Sequence, residues 1–401
     1  MYNLLGSLFD KGLPMIISAL LTKFMTANEY GKWSLFYTFI LISYAFSATP
    51  LLTVFSRKFY SQDQSNQRMY IYFYKLVFLL QALSLAVYYI FFSPISWTAF
   101  LEIPAIICIN LYDYLALFFR FKGKDVLYLR ESFIRFAFFA AVIAVSILVL
   151  HKVPYWLLIG TFIVSHIPSF FKALTYISLP KSSEKSDFKE FFFLSSYGLS
   201  TSLVNGMDKF IIVASGFSLS FLGYYSFIYS LTNTPTIVVE ALKKTMNPII
   251  YKELSEQDKL SSKTKRLIYL IIIALFVIQM TLPVTVYSIL RYLNLINKAF
   301  MGAESYTYIY ILSIGFFFQG IYHFLNPYYF FYKKSGQLLV IQLICIAIYL
   351  VVLIYIVGAK SYSNFMWTNT GLLVAITLLC GVVKVKNESN KRKESESVII
   401  A

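Results

Sequence analysis

Apolar runs of about 20 residues, the length a helix needs to cross a bilayer, recur along almost the whole chain. They constrain its fold more than any other feature. They are predicted approximately at 3–25, 33–55, 70–92, 97–119, 132–150, 154–176, 192–215, 222–243, 267–290, 306–330, 337–357 and 365–383. Lipid offers the backbone no hydrogen-bond partner, so a spanning run of this kind is a helix that satisfies its own peptide groups. With 58% hydrophobic and only 13% charged residues, the chain holds more apolar surface than one water-soluble core can enclose. The predicted fold class is an all-α integral membrane protein of about twelve transmembrane helices.

A cleaved signal peptide is not expected, because the first run carries Asp10 and Lys11 and has no small-residue cleavage site. Cys108, Cys345 and Cys380 fall inside spans, away from any CxxC or His/Cys cluster. Neither a disulfide, a metal site nor a cofactor is therefore expected.

The formal charge of +16 would suit a nucleic-acid binder, but its distribution argues for a topology signal. Of the 35 Lys and Arg, 27 lie on the even-numbered connections and the tail, against 6 on the opposite side. The positive-inside rule then places both termini in the cytosol. Arg135 is counted with the cytosolic cations; Lys11 and Lys209 are the two that topology leaves over. The connections are short, so the function is expected within the membrane. "KSSEKSDFKE" reads as a cytosolic linker, and the tail from 384 is polar enough to be disordered.

The linker invites a search for an internal repeat. "YGKWSLFYTF" (30–39) and "LGYYSFIYSL" (222–231) both contain GxxSxxY, as Gly31, Ser34, Tyr37 and Gly223, Ser226, Tyr229. Gly6 and Gly198 precede the two motifs by equal distances. Halves of six spans each share one orientation, so they are expected as two six-helix lobes related by a pseudo-twofold along the membrane normal. The predicted division is an N-terminal lobe over 1–180, a linker over 181–191, a C-terminal lobe over 192–383 and the tail over 384–401.

Charged and polar residues inside the spans mark the candidate site, because a charge at bilayer depth costs a few kcal/mol. In the seventh span, Gly198, Thr201, Asn205 and Asp208 recur at helical spacing, flanked by Ser202 and Lys209. Asp208 and Lys209 are adjacent and point about 100° apart, so each is expected to face a different partner. The first span repeats the theme in Asn3, Ser7, Lys11, Ser18 and Thr22, with Asp10 beside Lys11 and Pro14 able to bend the helix. Mutual neutralisation of Asp208 and Lys209, and snorkelling of Lys11 to the surface, are the structural alternatives. Asp113, Glu102 and Glu240 are further carboxylates that could carry a proton or cation, Glu240 being better explained by Lys243 and Lys244 one turn on. His166 and His323 read as packed, hydrogen-bonded residues. With no phosphate loop, GxSxG or metal cluster, the chain is not expected to be an enzyme or an ATP-driven pump.

With the first span leading into "EYGKWSLF" and the seventh reading "DKFIIVASGFSLSFLGYYSFIYSL" (208–231), the chain resembles bacterial polysaccharide flippases of the Wzx type, in the multidrug/oligosaccharidyl-lipid/polysaccharide exporter superfamily. Asp208, Lys209, Phe210, Ile211, Ile212, Gly223, Tyr224, Tyr225 and Ser226 stand where that family has an acidic and a basic residue, aliphatics, then a glycine and a serine-containing aromatic run. Arginine is nearly absent from the predicted spans, where related flippases often have cationic cavity residues. The resemblance implies alternating-access translocation of an undecaprenyl-diphosphate-linked oligosaccharide, an O-antigen, lipopolysaccharide or capsule repeat unit, across the bacterial inner membrane. It implies Lys209 and Lys11 as the diphosphate counter-charges, with Thr201, Ser202, Asn205, Ser7 and Ser18 as glycan partners. Asp208, Asp10 or Asp113 would couple H+ or Na+. The implied partners are the lipid-linked glycan, the bilayer, and proteins that polymerise the glycan and set its length; nucleic acid is not among them. Two alternatives share features: a cation-coupled multidrug antiporter of the same superfamily, and a membrane polysaccharide polymerase or ligase, which would need a larger outer loop.

Overall fold

The computed structural model describes residues 6, 9, 21–61, 69–70, 82–83, 86, 101–178, 185–236, 238–239, 242, 246, 249–250, 253–254, 256, 260–332, 334–358 and 362–400. Ten α-helices run through them: α1 Ala27–Ser61, α2 Glu102–Phe121, α3 Asp125–Leu150, α4 Tyr155–Tyr176, α5 Lys185–Ala214, α6 Leu219–Asn233, α7 Ser262–Tyr292, α8 Ser305–Phe331, α9 Ser335–Gly358 and α10 Tyr362–Ile400. Two-residue strands β1 (Met69–Tyr70) and β2 (Ile177–Ser178) pair in parallel.

Six segments among the described residues are long and apolar enough to cross a membrane: Asp125–Leu150, Tyr155–Tyr176, Ser262–Tyr292, Ser305–Tyr329, Gly336–Leu353 and Tyr362–Ser389. Pro104–Phe119 is a shorter apolar helix. These correspond to predicted runs, and α1, α5 and α6 cover three more. The first run and most of the third lie largely outside the described residues.

The distribution of side chains is that of a multi-pass membrane protein. Helix α3 exposes Phe133, Ile134, Phe138, Val145, Leu148 and Val149, while Tyr128, Glu131, Ser132 and Ser146 are buried. On α9, Leu338, Gln342, Cys345 and Tyr349 form the buried stripe, while Ile344, Ile348 and Val351 are exposed. Such helices gain nothing by hiding apolar atoms from lipid. They associate through close packing and hydrogen bonds instead.

Packing groups the chain into two compact units. The first is Met1–Phe227 with Leu295–Phe300, and the second is Ile228–Asn294 with Met301–Ala401. The division by packing falls inside α6. In the first unit α1 packs on α5, α2 and α4, and α2, α3 and α4 pack on one another. In the second, α8 packs on α7, α9 and α10. There the Thr370 and Thr377 hydroxyls of α10 donate to the carbonyls of Ile311 (2.8 Å) and Phe318 (2.9 Å) on α8.

Caps set several helix starts. At "TANE", which opens α1, Thr26 caps the helix, its Oγ1 accepting from the Glu29 N–H at 3.2 Å. Ser218 does the same for α6, accepting from the Phe221 N–H at 3.1 Å. Helix α10 runs on to Ile400 through residues where the sequence reading expects disorder. Its Lys384 and Glu388 stand one turn apart with their charges 3.9 Å from each other, a spacing that supports a solvated helix.

The start of α7 is capped twice. Ser261 Oγ accepts from the Thr264 N–H at 3.2 Å. Glu253 accepts from the Thr264 hydroxyl (2.6 Å), the Ser261 hydroxyl (2.8 Å) and the Ser261 N–H (2.9 Å). These bonds, the one from Thr264 first, hold the carboxyl below its ordinary value of 4.5. A depressed folded value contributes stability that is present above the ordinary value and is lost as pH falls through the folded one. Amide exchange in the first turn of α7, corrected for its intrinsic pH dependence, is therefore expected to accelerate as pH drops below 4.5. Glu253→Gln should raise exchange at neutral pH and flatten that dependence.

Candidate functional site

Helices α5 and α1 meet along a seam made possible by Gly206. A Cβ at that position would come within 2.5 Å of Thr38 Cγ2. The neighbouring charges use this proximity. Lys209 Nζ donates to Thr38 Oγ1 at 2.9 Å across the seam. Asp208 turns elsewhere: its Oδ1 accepts from the Lys209 backbone N–H at 2.8 Å, and its Oδ2 accepts a short hydrogen bond from the Tyr225 hydroxyl of α6. The two adjacent side chains thus engage α1 and α6 respectively, as their angular separation on the helix requires. Both are buried, with Asp208 2% and Lys209 9% exposed. They sit fewer than two turns from the end of α5 at Ala214.

The rest of the predicted stripe is arranged differently. Thr201, Ser202 and Asn205 are half-exposed, whereas Asp208, Lys209, Met207 and Val204 are buried. The polar face therefore divides into a partly exposed half and a packed, charged half. Ser7, Asp10, Lys11 and Ser18 lie outside the described residues, as does Glu240. From the first span, Gly6 is described, with its missing Cβ directed 2.3 Å from Tyr128 Cε1. Phe9 is also described, its ring against Phe133 and Phe136 of α3.

A second polar centre lies on the other side of α1. Arg135 Nη1 donates to His166 Nε2 at 2.8 Å, and its guanidinium carbon stands 4.1 Å from the centre of the Tyr112 ring. Since Arg can only donate, Nε2 is an acceptor and the imidazole carries its proton on Nδ1. That N–H donates to the Phe162 carbonyl at 2.7 Å. Tyr112 is fixed by a 2.8 Å bond between its hydroxyl and Ser132. The Phe162 and His166 rings lie tilted with centres 4.8 Å apart, and Trp33 and Tyr37 of α1 pack edge-on to Phe162. Asp113, half-exposed on α2, and Arg135 both act electrostatically on the Tyr37 hydroxyl. Consecutive residues of α1 thereby serve the two centres, Tyr37 facing α4 and Thr38 facing α5.

The sequence reading counted Arg135 with the cytosolic cations, although it falls near the start of the predicted run at 132–150. Helix α3 begins at Asp125, so Arg135 lies ten residues, or about 15 Å, along it. The missed signal was a pair of partners at matching depth, Tyr112 and His166. Nearer the start of α3, Glu131 pairs with Lys172 and accepts from Ser169 at 3.1 Å. Thr38 was also missed, and Tyr225 was read only as part of the aromatic run, because neither carries a spacing signal that pairs it with Lys209 or Asp208. No cluster of metal-ligating side chains occurs among the described residues.

No protein-family model matches this sequence, and no curated protein matches it either. A solved structure does match in fold. It is the inward-facing conformation of a multidrug resistance MATE family transporter of the MOP superfamily, with a TM-score of 0.67 and 9% sequence identity, over 98% of this chain and 95% of that one. Fold and side-chain distribution together define a multi-pass, all-helical membrane protein with the architecture of that transporter. At this identity the likeness is one of fold alone.

Proposed function

We propose that this protein is a transporter that moves an undecaprenyl-diphosphate-linked oligosaccharide from the cytosolic to the outer leaflet of a bacterial inner membrane, coupled to H+ or Na+. The observation that carries the reading is Lys209. It is a buried basic residue on α5 that donates to Thr38 of α1 and lies within electrostatic reach of the adjacent Asp208. A diphosphate entering low-dielectric surroundings needs such a counter-charge. Arg135 adds a second cation on the far side of α1. The half-exposed Thr201, Ser202 and Asn205 supply hydroxyl and amide groups suited to sugars, with Lys11, Ser7 and Ser18 proposed in the first span. Asp208, Asp10 and Asp113 are the proposed ion carriers, and glycan-polymerising and chain-length proteins are the proposed partners.

A multidrug antiporter is the second reading, favoured by the fold shared with a multidrug resistance transporter. Reconstitution separates the two. Full-length protein in liposomes is expected to expose a fluorescent polyprenyl-diphosphate saccharide on the opposite leaflet faster than empty liposomes do, and to leave a cationic dye gradient intact. Dye efflux without saccharide movement would establish the antiporter reading in its place.

A further inference from the structure

The leading glycines of the two GxxSxxY motifs meet where α1 and α6 cross. A Cβ on Gly31 would lie 2.2 Å from the Leu219 carbonyl oxygen, and one on Gly223 would lie 1.9 Å from the Ala27 oxygen. Each carbonyl belongs to the residue four positions before the opposite glycine, and each missing Cβ would also stand 3.1 Å from the opposite glycine's nitrogen. The contact is therefore reciprocal, backbone against backbone. No other residue type could make it without forcing the helices apart.

Three further observations converge on this crossing. The segment Leu295–Phe300 packs with the first unit although its flanks, Asn294 and Met301, belong to the second. Its Phe300, 0% exposed, lies edge-on to Tyr30 (5.7 Å) and Phe227 (5.3 Å), which bracket the two glycines. The 151–154 turn is tied to the same end of the first unit, the Val153 N–H donating to the Phe24 carbonyl at 3.0 Å. All these connections are ones that the charge asymmetry assigns to the outer face. Directly inside the crossing, Tyr225, two residues after Gly223, donates to Asp208. Thr38, seven residues or about 10 Å along α1 from Gly31, accepts from Lys209.

We infer that the reciprocal Gly31–Gly223 crossing, closed over by Phe300, is the outer seal of the transport path. It shuts the Asp208–Lys209 site from the outer face and must part to release cargo there. This rests on the transport reading. Because α5 packs on α1 and Tyr225 stands on α6 two residues from Gly223, movement of α6 away from the α1–α5 pair withdraws the Tyr225 hydroxyl from Asp208, so opening and the state of the charged pair change together.

Ser226 is the reporter, because its hydroxyl is buried one turn inside the crossing. In full-length protein in whole cells, with Cys108, Cys345 and Cys380 replaced by alanine, Ser226→Cys should react slowly with an impermeant maleimide added outside. Adding Gly31→Ala, Gly223→Ala or Phe300→Ala should speed that labelling at least about tenfold, a shift expected when a closed state loses its contacts. Bridging cysteines at positions 30 and 300 with a short bifunctional thiol reagent should return labelling to the slow rate. Phe300→Ala adds no bulk, so it remains informative where a glycine variant fails to reach the membrane. Unchanged external labelling in Phe300→Ala and in whichever glycine variants are present at normal level would overturn the seal, as would labelling of position 226 from the cytosolic side alone. Accelerated labelling in a protein that moves no saccharide would keep the seal and remove the glycan as cargo.

Discussion

On the proposed glycan-transport reading, replacing Lys209 with alanine is expected to abolish export of the lipid-linked glycan while leaving the protein in the membrane. Truncating one member of a desolvated charge pair costs about 2–5 kcal/mol, at least about thirtyfold in affinity for the anionic headgroup. Folding should be spared for a local reason. Thr38, which accepts from Lys209, can turn its own hydroxyl to a carbonyl one turn back on α1, as membrane threonines commonly do. Asp208 keeps its bonds from Tyr225 and the residue 209 N–H. Lys209→Arg should retain part of the activity, since it preserves charge but changes reach and geometry. Lys209→Met should behave like alanine. The measurement is surface polysaccharide in a strain lacking its own flippase, with each variant's membrane level checked by blot. Normal output from Lys209→Ala would remove this residue from the site. Loss of all three variants from the membrane would make it a packing residue.

The second large effect is expected at Arg135, and it is one of stability. Arg135→Ala leaves His166 Nε2 buried without its donor, removes the guanidinium from the Tyr112 ring and takes a positive charge away from the neighbourhood of Asp113. An unsatisfied buried acceptor costs about 1–3 kcal/mol and a desolvated cation–π contact about 2, so the melting temperature of purified protein should fall by several degrees. Arg135→Lys should recover only part of the loss, because an ammonium cannot stack as a plane. The sharper test is a sign. Since removing both partners of a buried hydrogen bond is milder than removing one, His166→Phe added to Arg135→Ala should raise the melting temperature above that of Arg135→Ala alone. A double variant less stable than both singles would mean that the two residues do not act as a pair.

Much of the molecule is legible in the chain itself, because the physics involved is one-dimensional. A backbone that must satisfy itself in lipid turns each long apolar run into a helix, so α3, α4, α7, α8, α9 and α10 could be read from hydropathy alone. The separation of Asp208 from Lys209 follows from helix geometry, and the tight place of Gly31 and Gly223 was marked by a repeated motif. Helix ends are less legible, since cap bonds and the first turn contain few apolar residues. Helix α3 accordingly begins at Asp125, seven residues before the predicted run at 132–150.

Which residues meet across helices was decided only by the tertiary structure. No spacing in the sequence relates Thr38 to Lys209, Tyr225 to Asp208 or Arg135 to His166, because interhelical partners depend on crossing points and rotations that a hydropathy pattern does not encode. The same holds for the reciprocal glycine crossing. The motif announced two equivalent positions, but their mutual contact required two backbones to approach until any Cβ would overlap a carbonyl oxygen. In lipid, where burying apolar surface gives helices no reason to associate, such close approaches and the buried polar bonds beside them select one packing from the many that the apolar faces alone would allow.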